Sequence, residues 1–136
     1  MTQEKIERSE EEWLKHLSGE QYQVCRKKAT EAPFSGSLYM CSDNGTYYCV
    51  CCGHRLFSSD AKFDSGSGWP SFWQPITNDS LRYHSDMSHG MVRIEALCSR
   101  CDSHLGHVFD DGPEPSGKRY CINSVSLNFI RSDQNF

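Results

Sequence analysis

The chain has 136 residues, with 24% charged and 37% hydrophobic residues, which fits one domain spanning 1–136 with enough chain to bury a core. Fourteen Lys and Arg against eighteen Asp and Glu leave a net charge of −4, a balance that disfavours nucleic-acid phosphates as partners. No apolar run is long enough to span a membrane, and the polar, acidic start "MTQEKIERSEEEWLKHL" has no secretory h-region, so a reducing cytoplasm is the expected compartment.

The helical segment is expected within 1–30. Ser9 with Glu12 forms a capping box ahead of Trp13, Leu14 and Leu17, and Ser18 with Gln21 caps a second helix carrying Tyr22 and Cys25. "TEAPFSGS", 30–37, reads as irregular chain. "DNG", 43–45, carries the Asn-Gly hairpin signal ahead of a strand over 46–50. The stretch 58–75 is rich in Gly, Ser and Pro and carries Phe63, Trp69, Phe72 and Trp73. Such a loop either packs on the domain or holds a ligand.

Strict alternation in "MVRIEAL", 91–97, predicts a half-buried strand with Val92, Ile94 and Ala96 inward and Arg93 and Glu95 outward. After a turn-rich loop over 110–118, "YCINSVSLNFI" predicts one strand over 120–130 with Cys121, Asn123, Val125, Leu127 and Phe129 on one face. The tail 131–136 is expected to fray. The whole reads as helical at the start and antiparallel β afterwards.

Eight cysteines are present. In a reducing compartment they serve as metal ligands or catalysts more often than as disulfides. Cys49 with Cys52 and Cys98 with Cys101 form two C-x-x-C pairs, the spacing of one structural zinc ion held by four thiolates. Two redox C-x-x-C motifs are the alternative. Cys51 falls inside the first pair and is left out of the site.

His104 and His107 follow the second pair directly. They can serve as zinc ligands in a mixed site or, with four cysteines filling the shell, as general acids. Cys121 starts a strand after a polar loop. Arg119 shares its face and would stabilise a thiolate, so a nucleophile competes with a packed thiol.

Three blocks, "FDSGSGWPSFW", "MSHGMVRIEALCSRCDSHLGHVFDDGP" and "RYCINSVSL", together with both C-x-x-C pairs resemble the methionine-R-sulfoxide reductase B family. The similarity runs from about Ser9 to Phe129. It implies a mainly β fold, a tent-like antiparallel structure of two small sheets with short N-terminal helices and a four-cysteine zinc site. It also implies reduction of the R epimer of methionine sulfoxide, mainly in proteins, by a monomer that uses thioredoxin as reductant.

By that resemblance Cys121 is the attacking thiolate, and His107, with His104, protonates the sulfoxide oxygen. Asp111 polarises a water or a histidine, and Arg119 lowers the Cys121 pKa. Trp69 receives the ε-methyl group, Asn123 hydrogen-bonds in the pocket and Phe72 walls it.

Many relatives have a resolving cysteine in "SGCGW", where this chain has Ser67 in "SGSGW". Cys25 is the first candidate to resolve instead, followed by Cys41 and Cys51, or an external thiol acts alone. The rival readings are a zinc-ribbon-like binding module, in which Cys121 is inert, and a cysteine hydrolase, which needs an oxyanion hole.

Overall fold

The computed structural model describes residues 8–87 and 90–132. Two short helices come first, α1 (Glu10–His16) and α2 (Gly19–Lys27). Both start at the expected capping boxes, with Ser9 and Ser18 each accepting from the backbone N–H three residues on. Trp13, Tyr22, Val24 and Cys25 face inward. Trp13 lies between two guanidinium groups, Arg8 and Arg26, at 5.0 and 4.5 Å from its ring centroid. Helix α2 packs on the strand His104–Phe109 and on the 3-10 turn Ser124–Ser126.

Among the described residues nine strands follow: β1 (Gly45–Cys49), β2 (Arg55–Ser58), β3 (Lys62–Phe63), β4 (Ser71–Phe72), β5 (Leu81–Asp86), β6 (Arg93–Cys98), β7 (His104–Phe109), β8 (Arg119–Ile122) and β9 (Leu127–Arg131). They form two antiparallel sheets, one in the order β2-β1-β9 and one in the order β3-β4-β8-β7-β6-β5.

The core lies between the sheets. Phe57 of β2 stacks on Phe72 of β4 at 4.2 Å, and Tyr47 of β1 meets the edge of the same ring at 5.0 Å. Leu56, Leu105 and Ile122 are fully buried beside them.

Three expectations about strands need correction. Asn44-Gly45 does not close a hairpin: Gly45 opens β1 opposite Arg131 of β9, so the partner strand comes from the far end of the chain. The run 120–130 is two strands, not one. The chain leaves the six-stranded sheet at Ile122, turns through Ser124–Ser126 and enters the three-stranded sheet at Leu127.

In β6 the expected alternation holds at Ala96, which is fully buried, but not before it. Val92 and Ile94 are exposed, while Glu95 is 2% exposed, because a polar cluster rather than the apolar core covers that residue. Arg131, expected in a frayed tail, pairs with Gly45; the expectation for 133–136 falls outside the described residues.

Phe72 belongs to the core rather than to any pocket. Its β4 neighbour Ser71 pairs with Cys121, so alternation sends the Phe72 ring the other way, between the sheets. Phe72→Ala is expected to cost about 3–5 kcal/mol of stability, and Phe72→Leu to leave KM unchanged. Chemical denaturation and steady-state kinetics check this; a KM raised in a fully folded Phe72→Leu protein would return Phe72 to the pocket wall.

Candidate active site

The site is built on one rung of the six-stranded sheet. Cys121 of β8 lies opposite His107 of β7 on one side and opposite Ser71 of β4 on the other. The strands approach closely at Gly106, where a Cβ would stand 1.9 Å from the Cys121 carbonyl oxygen. Only glycine fits there.

Over this rung opens a cavity of about 360 Å³. Cys121, His107, Trp69, Arg119 and Asn123 line it, with Thr30, Ser67, Arg93, Gly106 and Phe109. Residues predicted from three separate stretches of sequence are therefore brought to one place. Cys121 is the one cysteine among the lining residues.

Arg119 lies over the Phe109 ring, 4.4 Å from its centroid, and grips Asp111 through Nε (2.9 Å) and Nη2 (3.2 Å). Asp111, expected to polarise a water or a histidine, anchors this arginine. The short loop joining β7 to β8 puts it across from Arg119 and leaves it largely exposed. Burial raises the Cys121 thiol above its ordinary pKa. The Ser67 hydroxyl and the Arg119 guanidinium oppose that rise, and Asp111 adds to it. The expected help from Arg119 is present but smaller than desolvation.

His107 Nε2 meets Asp86 Oδ2 of β5 at 2.8 Å, and Arg93 Nη2 holds the same carboxylate oxygen at 3.2 Å. A carboxylate on one ring nitrogen fixes the orientation of the ring. His104 is not at the cavity. It is 3% exposed, and its Nδ1 meets Glu95 Oε2 at 2.7 Å. Burial holds His104 below the ordinary histidine pKa despite this partner.

Burial would raise the Glu95 carboxyl, but His104 and Lys28 (3.2 Å) outweigh it and hold it low. The histidine rings meet edge to face at 5.6 Å, so His104 backs His107 rather than facing substrate.

Trp69 is half-buried, and its indole Nε1 donates to the Glu31 carbonyl at 3.0 Å. Asn123 is 3% exposed. Its Oδ1 accepts from the Glu31 N–H at 3.0 Å, and its Nδ2 donates to the Leu105 carbonyl at 3.0 Å. One residue of the irregular segment, Glu31, thus fixes two walls of the cavity. Its buried carboxylate also accepts from the Val125 N–H at 3.0 Å.

Asp86, Arg93, Glu95 and Glu31 escaped the sequence reading. The charge of Glu95 and Arg93 suggested an outward face. Asp86 and Glu31 sit in stretches without periodicity, and their partners lie far away in sequence.

The four paired cysteines meet at one point. Cys49 and Cys52 flank the turn after β1, and Cys98 and Cys101 flank the turn after β6. Their sulfurs all lie within 4.8 Å of one another, with Cys49–Cys101 at 3.6 Å and Cys52–Cys98 at 3.5 Å. Sulfurs about 2.3 Å from one tetrahedral ion would stand about 3.8 Å apart, so this donor set fits a single metal ion. The cluster joins the two sheets, and no histidine belongs to it among the described residues.

Cys25 is not brought to the cavity. It is 2% exposed in the core, with Ser126 Oγ 3.7 Å from its sulfur. The neighbouring Cys51 thiol and burial both push its pKa up. Its place on the inward face of α2 puts it there. Cys51 is buried, and Cys41 lines a separate recess with Lys62.

The SelR domain model matches residues 17–131. The chain is 60% identical to a peptide methionine sulfoxide reductase MsrB of Methanosarcina mazei, over 98% of this chain and 95% of that protein. It is 62% identical to a protein of the same name from Methanosarcina barkeri, over 98% and 94% of the two chains. A third, from Hahella chejuensis, is 55% identical over 96% and 94%.

Proposed function

The chain belongs to the SelR domain family and is a peptide methionine sulfoxide reductase, an oxidoreductase; we propose that it reduces the R epimer of methionine sulfoxide in oxidised proteins through Cys121. The observation that carries this reading is the pairing of Cys121 with His107 across one rung, beneath a cavity that Trp69 also lines.

The Cys121 thiolate attacks the sulfoxide sulfur. His107, held by Asp86, gives a proton to the sulfoxide oxygen, which would otherwise carry the developing negative charge. The net change moves one oxygen atom: sulfoxide and thiol become methionine and a Cys121 sulfenic acid. Arg119 favours the thiolate against burial.

Trp69 receives the methyl group, whose hydrogens carry part of the positive charge of the sulfur and are drawn to the indole face. With methyl, oxygen and sulfur each assigned a direction, one epimer fits. His104, Glu95 and Asn123 position rather than react.

A thioredoxin dithiol then attacks the sulfenic sulfur and releases water. Its second thiol frees Cys121 and leaves the disulfide on thioredoxin. Cys121 lines the open cavity, whereas Cys25 is buried on the inward face of α2, so a route through Cys25 requires α2 to leave the core. Cys49, Cys52, Cys98 and Cys101 would hold one zinc ion, which would tie the sheets together and, with four thiolates filling its shell, leave no position for substrate. The protein acts as a cytoplasmic monomer.

Stereochemically pure sulfoxide peptides test the reading. The R peptide is expected to be consumed and the S peptide left intact, with His107→Asn slowing the former by about 10²–10⁴-fold. Equal consumption of both epimers would contradict it.

A further inference from the structure

Ser67 touches the reacting sulfur, and the reaction above gives it no task. Its hydroxyl oxygen lies 3.9 Å from Cys121 Sγ. The loop that carries it is held rigidly. Gly66 and Gly68 on either side have φ of 73° and 93°, and the Phe34 N–H donates to the Gly68 carbonyl at 2.7 Å.

The nearby hydroxyl groups form a chain. Ser65 Oγ stands 2.7 Å from both Ser67 Oγ and Ser71 Oγ. Ser71 donates to the Trp69 carbonyl at 3.0 Å, and the Trp69 N–H donates to Ser67 Oγ at 3.3 Å. Ser67 can place its own proton on the Trp69 carbonyl, at 3.3 Å, or on the Cys121 sulfur. The carbonyl already has the shorter bond from Ser71. A thiolate accepts a charge-assisted bond, about twice as strong as a neutral one. Ionisation of Cys121 therefore draws the Ser67 proton to sulfur.

We propose that Ser67 is a catalytic residue whose hydroxyl donates to Cys121, first to the attacking thiolate and then to the sulfenic acid left after oxygen transfer. This rests on the reading of Cys121 as the nucleophile. A serine cannot close a disulfide, so at this position the chain stabilises the oxidised cysteine until an external thiol arrives.

The charged and titratable groups facing Cys121 are Arg119 on its own strand, Asp111 behind it, His107 on β7 and, across the same cavity, Arg93 on β6. Ser67 and Arg119 both pull the Cys121 pKa down against burial.

The test is the pH dependence of Cys121 alkylation by iodoacetamide, followed on the Cys121 peptide by mass spectrometry. In Ser67→Ala the midpoint is expected to move up and the neutral-pH rate to fall about three- to tenfold, with kcat falling in parallel. Ser67→Thr keeps the hydroxyl and should restore both. In Ser67→Cys, one turnover on an R-sulfoxide peptide without reductant should link positions 67 and 121 by a disulfide.

A Ser67→Ala profile that superimposes on wild type would overturn the proposal, as would absence of that disulfide. Wild-type protein that forms no Cys121 sulfenic acid would instead overturn the nucleophile assignment beneath it.

Discussion

Cys121→Ser is expected to lose methionine sulfoxide reduction by about 10⁴-fold or more, to the background of the assay, because the remaining groups have no nucleophile to assist. The fold should survive. Cys121 is half-buried at a cavity floor, its sulfur meets the Ser67 hydroxyl and the Arg119 side chain, both of which a serine hydroxyl can also meet, and serine is the smaller residue. The melting temperature should therefore stay within a few degrees of wild type, since such surface-facing changes cost about 0.5 kcal/mol or less. Zinc content should also be unchanged, because Cys121 is not one of the four clustered thiols. Turnover with an R-sulfoxide peptide and thioredoxin, measured beside a thermal melt, checks both halves. A variant that keeps a tenth of the wild-type rate would mean that another thiol attacks the substrate.

The second large effect concerns the cysteine cluster. Cys98→Ser, or a strong chelator, is expected to release one zinc ion per chain and to unfold the domain at ordinary temperatures. The magnitude follows from a comparison. A structural zinc site in a small peptide is worth about 10–16 kcal/mol at neutral pH. The whole stability of a domain is about 5–15 kcal/mol.

Here the four thiols come from two turns on different sheets, so losing the ion opens the molecule along the seam that contains the core. Arg26 of α2 donates to the Cys101 carbonyl at 2.9 Å, so α2 should loosen as well. Metal analysis with circular dichroism, before and after chelation, measures this. Folded, active protein with no bound metal would contradict it.

Much of this was legible in the sequence where the signal is local. The capping boxes at Ser9 and Ser18 span three residues each and appear where expected. The two C-x-x-C pairs announced the cluster because each pair fixes its own turn. Cys121 and Arg119 were placed together by strand alternation alone.

Alternation failed in β6, where it assumes that the apolar face is the buried one. Glu95 is buried by ion-pairing with His104 and Lys28, residues far apart from it in the chain or on another strand. The same long-range dependence hid Asp86 behind His107 and Glu31 behind Trp69. Phe72 and Trp69 sat in one aromatic loop with equal claims on the pocket. Only the pairing of Ser71 with Cys121 separates them. Asn123 was expected mid-strand; its side chain bridges Glu31 and Leu105 at the point where the chain changes sheets.

The most direct test of the central claim is a single turnover without reductant. Stoichiometric R-sulfoxide peptide is mixed with wild-type protein, a sulfenic-acid trap is added, and every cysteine is examined by mass spectrometry. The expected result is one methionine formed for each trapped sulfenic acid at Cys121, with the four clustered cysteines unmodified and the S peptide unchanged. Methionine formed while Cys121 remains a free thiol would contradict the account.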